Sequence, residues 1–166
     1  MRKIYTLTIA LLAFMTFLPL TSCNDDDDEK ETVVTEESLP EAAKEFLTKF
    51  FPDDKVVKIE EENAGDIIVY EVSLESGFEI VFNSEGEWQQ VEAPYYKTVP
   101  TGIIPEQVMK TLSQQYSSYG IKEINTDDQG WKVELSNNLT NEPGGAGLNL
   151  WFNFSGEITS TSQDNA

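Results

Sequence analysis

The chain has 166 residues, with 11 basic and 30 acidic side chains, a net charge of −19 and no histidine. The missing imidazole excludes Ser-His-Asp and Cys-His catalysis and every zinc site built on histidine. The negative balance argues against nucleic acid and against charge-driven docking on anionic lipid, and a lone cysteine, Cys23, excludes an intramolecular disulfide.

In chain order the first segment reads as a leader. Arg2 and Lys3 precede an apolar run over residues 4–20, interrupted only by Thr6, Thr8, Thr16 and Pro19. This is the pattern of a secretory signal, short and poorly flanked for a spanning helix. It ends Leu20-Thr21-Ser22-Cys23, which resembles a bacterial lipobox. That resemblance implies a lipoprotein signal peptide over 1–22, cleavage before Cys23, and lipid on its thiol. The membrane is then a partner reached through that lipid. A buried methylene contributes about 0.8 kcal/mol and one acyl chain holds only marginally, so a lipoprotein's two or three chains are needed for a lasting anchor.

Of residues 24–37, eight of fourteen are acidic. Such a run repels itself and buries nothing, so 23–37 is expected to be a lipidated cysteine and a disordered tether. It lacks the ligand spacing and turn glycine of an EF-hand. An acidic stretch directly after the lipid cysteine resembles an address used by some Gram-negative lineages to place lipoproteins on the outer face. The expected location is the outer membrane of a bacterial envelope, periplasmic or surface-exposed, with the surface preferred.

Beyond the tether the chain is written twice. Leu39-Pro40-Glu41 returns as Ile104-Pro105-Glu106, and proline suits the start of a helix, where its missing N–H is no loss. Leu39, Ala42, Ala43, Phe46, Leu47, Phe50 and Phe51 recur at helical spacing before Pro52. Ile104, Val108, Leu112, Tyr116 and Tyr119 form a weaker stripe that Gly120 should end. Strands with period-two alternation follow in both copies. Tyr70, Val72 and Leu74 match Trp131, Val133 and Leu135, while Phe78, Ile80 and Phe82 match Leu148, Leu150 and Phe152. Each copy then reads F-N-x-x-G-E-apolar, at residues 82–88 and 152–158. Asn followed three residues later by Gly predicts a type I turn closed by a positive-φ glycine, placing Phe82 opposite Trp88 and Phe152 opposite Ile158.

The predicted class is α+β. Two tandem helix-plus-antiparallel-strand repeats of about four strands each, 38–99 and 100–162, are followed by a tail at 163–166. The helices are expected on one face of an antiparallel sheet, with the other face open. The second copy carries nine extra residues between Leu135 and Leu148, a long loop on a short-turned scaffold. Its Gly144-Gly145-Ala146-Gly147 lacks the Gly-Lys-Ser/Thr of a phosphate loop. The open face should present Val69, Val81, Asn149, Trp151 and Asn153, and the long loop Asn141 and Pro143. These are the candidate partner-binding residues, with Trp151 the chief apolar point.

The lipobox, the acidic tether and the two units ending F-N-x-x-G-E resemble the PepSY-like, beta-lactamase-inhibitor-like secreted lipoproteins, over about residues 38–160. The resemblance implies an antiparallel sheet with one face free to bind, and relatives discussed as inhibitors or regulators of secreted enzymes. It supplies no catalytic residue. The reading is a non-enzymatic, membrane-anchored protein-binding module without cofactor or metal, able to inhibit or regulate an envelope or secreted enzyme. The alternative is a lipoprotein that binds or senses a glycan, peptide or lipid. No nucleic-acid partner is expected.

Overall fold

The computed structural model describes residues 30–64, 67–137 and 147–164. Expectations for the signal segment, Cys23, the acidic run before residue 30, Asn141 and Pro143 lie outside the described residues. The elements are β1 (Lys30–Val33), α1 (Glu41–Phe50), β2 (Val56–Ala64), β3 (Ile67–Leu74), β4 (Glu79–Asn83), β5 (Trp88–Glu92), α2 (Glu106–Gln115), β6 (Gly120–Thr126), β7 (Gly130–Ser136), β8 (Gly147–Asn153) and β9 (Ile158–Asp164). All nine strands form one sheet in chain order, and every neighbouring pair is antiparallel. The two copies therefore share a continuous sheet, joined where β5 pairs with β6.

Two local expectations are corrected. Lys30–Val33 is an edge strand rather than part of a disordered tether. The outer edge of β2 offers a row of backbone donors and acceptors whose pairing does not depend on side-chain charge. Thr32 and Val33 suit a strand, and Val34 donates its N–H to the Ile59 carbonyl while its side chain packs on the core. Helix α2 stops at Gln115, short of Gly120, which opens β6 instead. The Tyr116 N–H still reaches the Leu112 carbonyl, and the next turn closes from Tyr119 N–H to the Tyr116 carbonyl. The Tyr116 and Tyr119 rings meet at 6.2 Å and both pack against the core. The prolines stand immediately before the helices, at their caps. There Pro40 accepts hydrogen bonds from the N–H groups of Ala43 and Lys44.

The core is one row repeated across the sheet. Ile59, Val72, Ile80, Val91, Ile124, Val133 and Leu150 stand directly opposite one another on seven successive strands, and none is more than 2% exposed. Fully burying such a side chain contributes about 1.5–3 kcal/mol. All fourteen side chains expected on the inner face belong to this cluster or pack against it, as do Leu39, Ala43 and Leu47 around α1 and Val108 and Leu112 of α2. The Phe46 ring of α1 meets Phe82 of β4 edge-on at 5.5 Å, and Phe51 meets Phe78 at 5.0 Å.

The repeated turn now accounts for each of its letters. Phe82 pairs with Trp88 and Phe152 with Ile158, as the sequence predicts. The Asn83 side-chain oxygen accepts from the N–H groups of Glu85 and Glu87, and its amide donates to the Glu87 carboxylate at 3.0 Å. Asn153 repeats all three bonds with Ser155 and Glu157. Gly86 and Gly156 hold φ of 83° and 79°, where a side chain is strained. They also lie against the start of their own helix. A Cβ on Gly86 would fall 2.8 Å from the Ala43 nitrogen, and one on Gly156 would fall 2.7 Å from the Gln107 backbone. The motif thus docks each hairpin on its helix.

Candidate functional site

Residues that alternate with the buried row stand on the other side of the pleat. Two parallel rows result. In one, Glu60, Glu71, Val81, Gln90, Asn125, Lys132, Trp151 and Ser160 oppose one another in turn. In the other, Ser73, Glu79, Glu92, Glu123, Glu134, Asn149 and Ser162 do so. Four glutamates from four consecutive strands, β4 to β7, are therefore direct cross-strand neighbours.

Like charges directly opposite destabilise a sheet, and Glu92 carries the consequence. It is half-buried, and its carboxyl is pushed up to about 7, first by burial and then by the charges of Glu123, Glu79, Glu134 and Glu71. Glu123 accepts from the side-chain amide of Asn125. Beside the row lies Lys122, which falls in a bulge of β6 between Ile121 and Glu123. Only 7% exposed, it donates to the backbone carbonyls of Pro94, Tyr95 and Lys97, each at 2.7 Å. Burial lowers its pKa, while the charges of Glu134 and Glu92 oppose that shift. Lys122 thereby pins the linker between the repeats next to the carboxylates. Tyr95 and Tyr96 on that linker are exposed.

The sequence-predicted residues fall as follows. Val81 and Trp151 share one row, but four strands apart, or about 19 Å at about 4.8 Å per strand. Both are half-buried. Val69, also half-buried, lies opposite Glu62 and Asn83. Asn149 is buried between Glu134 and Ser162. The side chain of Asn153 is engaged in its turn. The candidates are thus spread over one side of the sheet and do not form a cluster. The glutamate row escaped the sequence reading. Glu79 and Glu134 could be placed on this side from alternation alone, but Glu92 and Glu123 meet only because β5 pairs with β6.

The chemistry available is that of a surface rather than a cleft. Among the described residues no group of three or more carboxylate or cysteine side chains is arranged to hold a metal ion. A hollow of about 180 Å³ lies between α2 and the inner side of β6 and β7, lined by Met109, Leu112, Tyr116, Tyr119, Ile121 and Leu135 among others. A second, of about 430 Å³, lies around the end of α1. Neither includes a glutamate of the row. No helix among the described residues is long and apolar enough to cross a membrane.

Three solved structures share the fold. A "putative periplasmic protein of unknown function" from Bacteroides vulgatus is 28% identical, with a TM-score of 0.68, covering 80% of this chain and 99% of its own. A second "putative periplasmic protein" from B. vulgatus is 23% identical with a TM-score of 0.69, covering 80% and 96%. A "putative calcium-regulated periplasmic protein" from Bacteroides thetaiotaomicron is 23% identical with a TM-score of 0.68, again covering 80% and 96%. No curated protein matches the chain. A family profile matches twice, over the overlapping ranges 26–85 and 68–160. The chain belongs to the PepSY-like family, described as "Putative beta-lactamase-inhibitor-like, PepSY-like".

Proposed function

We propose that the protein is a non-catalytic, lipid-anchored binding module that holds a protein partner on the face of its sheet opposite the core. In this reading both helices cover the inner side and leave the outer side open. Cys23 carries the lipid, the outer membrane holds the anchor, and the domain faces the surface or the periplasm. The partner is an envelope or secreted protein whose activity the module restrains or regulates. The supporting observation is the sheet itself: nine strands in unbroken order, with charged, amide and half-buried apolar side chains, Trp151 and Val81 among them, alternating with the buried row. A large mixed surface with an aromatic anchor suits protein recognition. The periplasmic descriptions of the structural neighbours agree with an envelope location.

The test is partner capture by the full-length chain in non-ionic detergent micelles, with chemical cross-linking in an envelope extract. Trp151→Ala should reduce capture of a specific protein while the melting temperature stays near that of the wild type. Undiminished capture by this variant would remove the proposed face. Cys23→Ala should move the protein from the membrane fraction to the soluble one.

A further inference from the structure

We infer that the outer edge of β9 pairs with β9 of a second copy of this chain, antiparallel and about a twofold axis at Thr161, so that two nine-stranded sheets run into one. The inference concerns the edge of the sheet and stands apart from the binding-module reading. Its first ground is the internal repeat. The hairpin β8–β9 copies the hairpin β4–β5 pair for pair. Phe152 with Ile158, Trp151 with Ser160, Leu150 with Thr161 and Asn149 with Ser162 repeat Phe82 with Trp88, Val81 with Gln90, Ile80 with Val91 and Glu79 with Glu92, down to the same bulge after the first pair. On β5 the side away from β4 carries β6. There Val91 stands opposite Ile124, and the Ala93 N–H donates to the Lys122 carbonyl at 2.8 Å. β9 ends the sheet, so the equivalent side of Thr161 and Gln163 has no strand among the described residues. The chain itself thus shows what such an edge takes, an antiparallel strand.

Charge selects the occupant. Sheet edges are commonly blunted by short length, charge or proline. β1, at the other margin, is blunted: it has four residues, carries Lys30 and Glu31, and follows Asp25, Asp26, Asp27, Asp28 and Glu29 in sequence. β9 has seven residues, and from Thr159 to Gln163 all are exposed, uncharged and free of proline. Two copies of net charge −19 repel wherever their charged faces meet. Along β9 they meet without an opposed charge. Centred on Thr161, the pairing sets Thr161 against its counterpart, Ser160 against Ser162, and Thr159 against Gln163, and such hydroxyl and amide pairs suit a ladder. The axis stands normal to the sheet. It closes the assembly at two copies, as isologous contacts do, with both buried rows on one side and both Trp151 rows on the other. Pairing β9 with β1 would instead run head to tail and stay open. A ladder this short lies at the small end of specific interfaces, so the dimer is weak and concentration-dependent.

The experiment is sedimentation equilibrium of the full-length chain in density-matched non-ionic detergent, up to about 0.5 mM protein. The wild type should pass from monomer to dimer and no further. Salt should tighten the dimer, because it screens two like-charged bodies whose contact is uncharged. Thr161→Pro removes an edge N–H that no described strand uses, and should weaken association tenfold or more. Melting curves establish that the variant is folded, and Thr161→Lys, which opposes two ammonium groups across the axis, serves if it is not. Position is read by oxidation with copper phenanthroline in a Cys23→Ala chain, which has no other cysteine. A hydrogen-bonded antiparallel pair holds its Cα atoms about 5.5 Å apart, within the span of a disulfide. Thr161→Cys should therefore cross-link rapidly into dimers, and Val33→Cys on β1 should not. A monomer at every concentration would overturn the inference and leave the edge to a strand from another protein. Species larger than a dimer, a dimer that salt weakens, one that survives both Thr161 substitutions, or equal cross-linking from Val33→Cys would overturn it as well. Trp151→Ala should leave the dimer intact, so loss of partner capture by that variant and loss of the dimer by Thr161→Pro are read separately.

Discussion

Glu92→Gln isolates the cost of the glutamate row. The Glu92 carboxyl titrates at about 7 in the folded protein, against an ordinary value of 4.5. The folded state therefore holds its proton more tightly than the unfolded state does. The stability this gives is complete below about pH 4.5 and is lost as pH rises through 7. At about 1.36 kcal/mol per pH unit, the full shift corresponds to about 3 kcal/mol. The side chain is only half-buried, and solvent screening reduces this to on the order of 1–2 kcal/mol. Glutamine copies the protonated acid and cannot ionise. The variant should match the wild type near pH 5 and exceed it at pH 8 by on the order of 1–2 kcal/mol, or roughly 3–8 °C in Tm. Circular-dichroism melts at pH 5, 6.5 and 8 in low salt measure it, and added salt should narrow the gap. Curves for wild type and variant that stay parallel from pH 5 to 8 would refute the argument.

The hairpin–helix contact and the linker latch give two further outcomes. Gly156→Ala combines a φ of 79° with a Cβ 2.7 Å from the Gln107 backbone, so it should cost about 2–4 kcal/mol in urea unfolding. Ser155→Ala, one residue away and exposed, should stay within about 0.5 kcal/mol. A Gly156→Ala midpoint equal to that of the wild type would show that the hairpin can lift from α2 without loss. Lys122→Met keeps the buried stem but leaves the carbonyls of Pro94, Tyr95 and Lys97 without its ammonium. It should cost about 1–3 kcal/mol, and amide exchange over residues 94–99 should quicken. Unchanged exchange there would mean that the linker is held by other contacts.

The helices, the strands that carry the inner face and both turns were legible because each depends on short-range pattern. An apolar stripe makes a helix. Alternation makes a half-buried strand, and Asn-x-x-Gly makes the turn whose register sets Phe82 against Trp88. The edge strand β1 was hidden because its charges mimic a solvated tether, while its pairing is a backbone affair completed by β2. The end of α2 was misplaced because Tyr116 and Tyr119 keep helical spacing after the helical hydrogen bonds have stopped.

By itself, then, the sequence determined the unit, its duplication, the side chains each unit would bury, and the want of histidine chemistry. Only the tertiary structure decided how the units join. The pairing of β5 with β6 is a contact between segments separated by all of α2, and no local periodicity encodes it. That one ladder aligns Val91 with Ile124 and makes two cores into one. It also sets Glu92 against Glu123 and turns carboxylates from both copies into a single charged row. Burial rewards the first alignment strongly enough to hold the second, because apolar contact across a continuous sheet outweighs the screened repulsion of partly hydrated glutamates.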